Sequence, residues 1–114
     1  MTIERGDIYL AALDPVIGRE IAKTRPVVVV SNNLNNKHGG TVTVLPLTSK
    51  RLKKVYPFEL LLQKGNANLP KKSKVKADQI RTLDKRRLIK RFGRLTEEQI
   101  SLIDKAMKTH LELP

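Results

Sequence analysis

The chain has no cysteine and no tryptophan, and its aromatic residues come to two tyrosines and two phenylalanines in 114 positions. The lack of thiols excludes disulfides, thiolate metal sites and cysteine nucleophiles, and fits a reducing compartment. Histidine is nearly as scarce: His38 lies in a Gly/Asn-rich stretch and His110 near the C-terminus. A solvated turn accounts for the first and a helix end for the second, so imidazole acid–base chemistry is not expected. No apolar run approaches the roughly 18 residues needed to cross a bilayer, and the N-terminus lacks the apolar region of a signal peptide. A cytoplasmic protein with no membrane association is the expectation. The acids are few and spread along the chain, and no His/Cys cluster accompanies them, so no metal site is expected. The glycines form neither a P-loop nor a dinucleotide fingerprint, and no cofactor is expected.

Basic residues are what the chain has in excess. Lys and Arg number 23 against 11 Asp and Glu, a net charge of +12. Residues 1–49 carry five cations against four acids, residues 50–94 sixteen against three, and residues 95–114 two against four. The middle segment alone therefore stands at +13 and reads as the polyanion-facing part of the molecule. Nucleic acid is the first candidate partner and an acidic protein the second. An anionic membrane surface ranks third, because no amphipathic basic helix accompanies the charge.

The length suits one domain spanning residues 1–114. Asp7 to Leu13 begins with alternating character and predicts a strand ending at the turn signal Asp14-Pro15. Pro26 to Ser31 contains Val27-Val28-Val29-Val30, four β-branched residues that predict a strand buried on both faces. A turn-rich connection follows over 32–40, then a strand over Thr41–Leu45, where Pro46 implies a bulge, an edge or a bend before Thr48. Ser49 to Lys54 reads as a basic loop, Tyr56 to Leu62 as a fourth strand and Lys74 to Thr82 as a fifth. Arg87 to Arg94 reads as a short sixth strand or, near Lys85, a helical turn. Thr96-Glu97-Glu98-Gln99 is a capping box, with Leu95 and Ile100 as its hydrophobic staple. Ile100, Ile103, Met107 and Leu111 then recur at helical spacing, which predicts a C-terminal helix packed on the strands. The fold class is thus a β-dominated α+β fold.

Arg25 is the most informative single residue. Pro26 restricts it to extended geometry, so it sits at a rigid strand mouth behind a polar, Gly-bearing loop. A guanidinium keeps its proton at any physiological pH and suits a phosphate oxygen or an oxyanion, while the plain alternative is a surface arginine capping a loop. Tyr9 and Phe58 read as core, which leaves Tyr56, at the end of the basic loop, as the candidate for stacking on a nucleobase.

Several strings extend this pattern: Arg5-Gly6-Asp7-Ile8-Tyr9-Leu10, Leu13-Asp14-Pro15, Gly18-Arg19-Glu20, Thr24 to Asn32, Val44-Leu45-Pro46-Leu47-Thr48, Tyr56-Pro57-Phe58-Glu59 and Lys76 to Asp84. In order and spacing, over nearly the whole chain, they resemble the MazF/PemK (Kid) family of toxin endoribonucleases. The resemblance implies an SH3-like barrel of the CcdB/MazF type, with about five to seven strands and a C-terminal helix, acting as a homodimer. It implies a metal-independent, sequence-specific endoribonuclease that cuts single-stranded RNA, mRNA foremost, as the growth-inhibiting half of a toxin–antitoxin pair. The implied products carry a 2′,3′-cyclic phosphate and a 5′-hydroxyl. An acidic antitoxin that covers the basic groove is the implied protein partner. The alternatives on the same fold are a CcdB-like gyrase poison that cleaves nothing and a noncatalytic RNA-binding module.

Carried over position by position, the resemblance makes Arg25 the group that stabilises the phosphorane-like transition state. Thr48 becomes the hydroxyl that hydrogen-bonds a nonbridging phosphate oxygen, and Asp78 a proton-transfer group. The PemK-like branch has Arg-x-Asp-Gln where this chain has Lys76-Ala77-Asp78-Gln79. Cationic neighbours favour ionised Asp78, as a base or as an ion-pair partner of Lys76. Glu20 matches a loop carboxylate of the MazF branch and could pair with Arg25, act as base or accept from a base edge. Lys23, Thr24, Lys50, Lys53, Lys54, Tyr56, Lys76 and Gln79 complete the expected RNA-binding set, with the loops near 15–24 and 49–56 setting the cleavage motif.

Overall fold

The computed structural model describes residues 2–114. Its strands are β1 (Asp7–Ala12), β2 (Thr24–Val29), β3 (Thr41–Thr48), β4 (Glu59–Leu62), β5 (Ser73–Lys76), β6 (Arg81–Asp84) and β7 (Leu88–Arg94), with helices α1 (Asn33–His38) and α2 (Glu97–Leu111). Hydrogen bonding runs in the order β4-β5-β3-β2-β1-β7, and β6 pairs with β3 beside this path. All pairings are antiparallel. The path begins at β4 and finishes at β7 without pairing these two strands, so the expected barrel is not closed by a ladder.

The valine run behaves as its composition predicts. Val28 packs with Ile8, Leu45 and Ile103 in one cluster, whereas Val27 and Val29 pack with Tyr9, Val42 and Leu83 in the other. Alternating side chains of one strand thus feed two cores on opposite faces of the sheet. Tyr9 is fully buried, and Phe58 is a half-buried neighbour of the first cluster.

Helix α2 starts as the capping box requires: Gln99 N–H donates to Thr96 Oγ1 at 3.2 Å, and Thr96 N–H donates to Gln99 Oε1 at 2.9 Å. Leu95 and Ile100 are both buried, as a staple demands. Gly6 has φ of 92°, and a Cβ there would stand 2.4 Å from Ile100 Cδ1, so the β1 approach and the helix close on each other only through glycine. The buried stripe is Ile100, Ile103 and Ala106, with Met107 half-buried; Leu111, expected in it, is the last residue of the helix and is 47 % exposed. Asp104 of the same helix pairs with Arg5.

Four other expectations are corrected. The connection after β2 contains α1, a six-residue helix whose N-cap Asn32 accepts from Asn35 N–H; its asparagines signal turns by propensity and are held helical by this cap. Pro46 lies inside a continuous β3, opposite Val27 of β2. On its other side β3 is changing partner, from β6 up to Val44 to β5 from Leu47, so the missing N–H falls in a gap between ladders. The single strand expected over 74–82 is two, β5 and β6, separated by a 3₁₀ turn at Ala77–Gln79. Tyr56 and Pro57 lie outside β4, in the turn before Glu59.

Candidate functional site

Arg25, Thr48 and Lys74 form a row across three strands. The β2–β3 ladder ends at Val27 and Pro46, two residues short of Arg25 on one strand and of Thr48 on the other. Thr48 in turn pairs directly with Lys74 of β5. Cross-strand partners present their side chains on one face about 5 Å apart at Cβ. All three residues line a cleft of about 620 Å³, together with Glu20, Lys50, Arg51, Lys76 and Gln79.

Each member of the row keeps donors unspent. Arg25 Nε donates to the Ala22 carbonyl at 3.3 Å, which fixes the guanidinium plane, and among the described residues its two Nη groups have no protein acceptor. Such a fork fits two oxygens of one phosphate. Thr48 Oγ1 accepts the Lys50 N–H at 3.2 Å, so its hydroxyl hydrogen remains available to an acceptor in the cleft.

The loop over 15–23 forms one wall and is tied down from the 3₁₀ turn. Gln79 Oε1 accepts from Ile21 N–H at 3.2 Å, and its Nε2 donates to the Arg19 carbonyl at 3.4 Å. Glu20 is exposed and does not pair with Arg25; its Oε1 accepts from Ile17 N–H at 2.8 Å within the same loop. Lys23, with φ of 69°, is held at the loop's end by its backbone, whose N–H donates to Asp14 Oδ1.

The opposite wall rests on a buried ion cluster. Glu59, in β4, is 1 % exposed at its side chain and takes Lys74 Nζ on Oε1 at 3.2 Å and Lys76 Nζ on Oε2 at 3.1 Å. Burial alone would raise the Glu59 pKa, but the Tyr56 N–H and the two ammonium groups outweigh it and hold the carboxyl below its ordinary value. Lys76 also reaches Asp78 Oδ2 at 3.7 Å. The strand expected over 74–82 breaks before Asp78, which has turned onto the 3₁₀ segment. It lines a neighbouring cleft with Ile17, Arg19, Glu20, Gln79 and Arg81, and its Oδ1 is enclosed without a hydrogen-bond partner among the described residues.

Of the residues expected from sequence, the fold gathers Arg25, Thr48, Glu20, Lys50, Lys76 and Gln79 into one cleft. Thr24 lines a smaller apolar-floored pocket of about 190 Å³ on the other side of Arg25, with Leu47 and Phe92. Lys23, Lys53, Lys54 and Tyr56 do not line the main cleft. Tyr56 stacks on Phe58 with ring centroids 5.4 Å apart, while Lys54 Nζ lies 4.8 Å from the Tyr56 ring centre. Sequence reasoning missed Glu59 altogether and gave Lys74 no individual role. The available signal was a carboxylate between Phe58 and the apolar run Leu60-Leu61-Leu62, where only a paired acid is stable.

Residues 4–111 match the model of the family described as PemK-like, MazF-like toxin of type II toxin–antitoxin system. The chain is 39 % identical over 116 aligned residues to the endoribonuclease MazF9 of Mycobacterium tuberculosis, covering 97 % of this chain and 98 % of that one. Among solved structures, an endoribonuclease from a mycobacterial species superposes with a TM-score of 0.80 at 29 % identity, covering 100 % of this chain and 95 % of its own. A mycobacterial endoribonuclease in complex with its cognate antitoxin gives 0.77 at 28 % identity, over 99 % and 96 %. MazF from Deinococcus radiodurans gives 0.83 at 26 %, over 98 % of both chains.

Proposed function

Because this chain belongs to the PemK-like, MazF-like family of type II toxins, we propose that it cuts single-stranded RNA at a short sequence motif, without a metal ion, by internal transfer at phosphorus. The chain is an endoribonuclease. In the proposed step the ribose 2′-oxygen bonds to the adjacent phosphorus and the bond from phosphorus to the 5′-oxygen breaks. The products are a 2′,3′-cyclic phosphate and a 5′-hydroxyl. The 2′-OH proton leaves to a base, and the departing oxygen takes one up.

The observation that carries this reading is the Arg25–Thr48 pair in a cationic cleft, with the guanidinium fixed through Nε and both Nη groups open. Extra negative charge gathers on the nonbridging phosphate oxygens in the transition state, and preset donors there act without reorganising. Thr48 adds its hydroxyl to one of these oxygens. Glu20 is the favoured proton acceptor, since it lines the same cleft as Arg25 and Thr48, whereas Asp78 has one oxygen enclosed and the other facing Lys76. Asp78 then serves as a charge partner for Lys76 rather than as the proton-transfer group. Lys50 and Arg51 follow the RNA backbone at the rim.

A cognate antitoxin is the regulatory partner, by analogy with the mycobacterial complex. An acidic, disordered segment laid in the cleft would compete with RNA for the same cations. No helix among the described residues is long and apolar enough to cross a membrane, and the cytoplasm, where mRNA is translated, is the proposed site of action.

The test is incubation of purified protein with a long mixed-sequence RNA in excess EDTA, with mapping of cut sites and end chemistry. Discrete cuts at a recurring motif with cyclic-phosphate ends are expected. RNA that is bound but left whole would instead favour a noncatalytic module, and inhibition of gyrase supercoiling would favour a gyrase poison.

A further inference from the structure

Lys74 is a buried lysine in a cleft wall. It is 4 % exposed, lines the main cleft and stands directly across the β3–β5 ladder from Thr48. An ammonium has three N–H donors and no acceptor. Two are spent, on Glu59 Oε1 at 3.2 Å and on the Lys54 carbonyl at 3.1 Å. Among the described residues no group takes the third.

We propose that Lys74, oriented by Glu59, is a third phosphate-contacting group of the cleft, acting beside Arg25 and Thr48. This rests on the nuclease reading above. The geometry distinguishes Lys74 from the surface lysines of the same segment. A surface ammonium loses rotamer freedom when it grips a phosphate, whereas that of Lys74 is already held by a carboxylate and a carbonyl. Desolvation also strengthens its field at the cleft, because little water screens it. Lys76 has a different task. Its ammonium lies between the Glu59 and Asp78 carboxylates, so it is largely compensated within the protein. Arg25, Thr48 and Lys74 thus give one cleft three donor groups: a fixed guanidinium, a hydroxyl and a fixed ammonium.

The test compares wild-type protein, Lys74→Met and the double variant Lys74→Met with Glu59→Gln. Cleavage is followed in excess EDTA under single-turnover conditions, on a short RNA bearing the mapped motif. Binding is measured against salt with the same RNA carrying 2′-deoxyribose at the cut position. Lys74→Met alone leaves Glu59 buried with one cation fewer and is expected to lower the thermal transition. The double variant replaces Lys74 and Glu59 by neutral groups of similar size, leaves Lys76 facing Asp78, and is expected to recover the fold. On the proposal the recovered double variant still cleaves about 10²-fold more slowly than wild type. Its log K against log salt slope is shallower by about 0.7, as for the loss of one phosphate contact to a single strand. A folded double variant that cleaves at the wild-type rate, or keeps the wild-type slope, overturns the assignment of Lys74 and leaves the nuclease reading standing. Wild-type protein that leaves the RNA whole overturns the nuclease reading itself.

Discussion

Two basic stretches of this chain look alike in sequence and are opposite in use. Residues 85–94 carry six cations and no acid of their own, yet most of these charges are spent inside the protein. Arg87 donates to the Ala12 carbonyl at 3.0 Å and to that of Asp14, and Arg91 pairs with the buried Asp7 at 3.2 Å. Arg94 binds Glu4, Arg86 binds Asp84 at 3.1 Å, and Lys85 donates to the Asn36 carbonyl. Around the cleft, by contrast, Arg25, Lys50 and Arg51 meet no carboxylate among the described residues. Counting charge along the chain therefore overstates the RNA-facing surface, because part of the +13 of residues 50–94 belongs to a girdle that fastens β7 to the N-terminal strands.

The largest expected effect lies on the cleft side. Arg25→Ala is expected to lower the cleavage rate 10²–10³-fold with its thermal transition unchanged, since on the proposed reading it removes a transition-state donor and no buried partner. Rate loss together with loss of the transition would return Arg25 to a structural role.

Acid should reach the wall beneath Lys74. The folded-state pKa of Glu59 is lowered, so its stabilisation is complete above the ordinary carboxylate range near pH 4.3 and is lost as pH falls through the folded value. The thermal transition of wild type should fall between pH 5 and pH 3 more steeply than that of Glu59→Gln. Asp84, also lowered through its hydrogen bonds from Arg86, titrates in both proteins and cancels in the comparison. Parallel curves would mean that Glu59 gains nothing from its lysines on folding.

On the girdle side, Arg91→Ala should cost about 1 kcal/mol of stability, because Asp7 stays buried while Arg91 itself is half exposed. Its cleavage rate should stay at the wild-type level in single-turnover assays. The smallest contrast is in salt dependence. Lys50→Ala should make the RNA-binding slope shallower by about 0.7, whereas Arg86→Ala, whose side chain is 90 % exposed but engaged with Asp84, should leave the slope unchanged. Equal slopes for the two variants would erase the distinction between the regions.

The strands and helix with strong local signals were legible in the sequence: the valines of β2, the β-branched residues of β3 and the Thr96 capping box each specify their element without help. α1 was hidden by its asparagines, which favour turns until a cap fixes them. The break at Ala77–Gln79 was hidden because the alternation of β5 continues in letters through the 3₁₀ turn into β6. For the site, Arg25 announced itself through Pro26, whereas Thr48 was reached only through the family resemblance, since the bend expected at Pro46 is absent. Glu59 and Lys74 could not be paired by spacing, since they are 15 positions apart and meet through the β4–β5 ladder. The tethering role of Gln79 was equally invisible, because its partners lie 58 and 60 residues away.

That tether separates attachment from readout. The carboxamide of Gln79 engages one peptide N–H and one peptide C=O of the 15–23 loop, atoms that almost every amino acid supplies alike. Side chains at Ile17 and Arg19 can therefore be exchanged without unfastening the segment from the sheet. On the proposed reading the segment is an interchangeable head on a fixed mount, and a library randomised at Ile17 and Arg19, with Glu20 kept, should yield folded proteins that differ in which RNA words they cut.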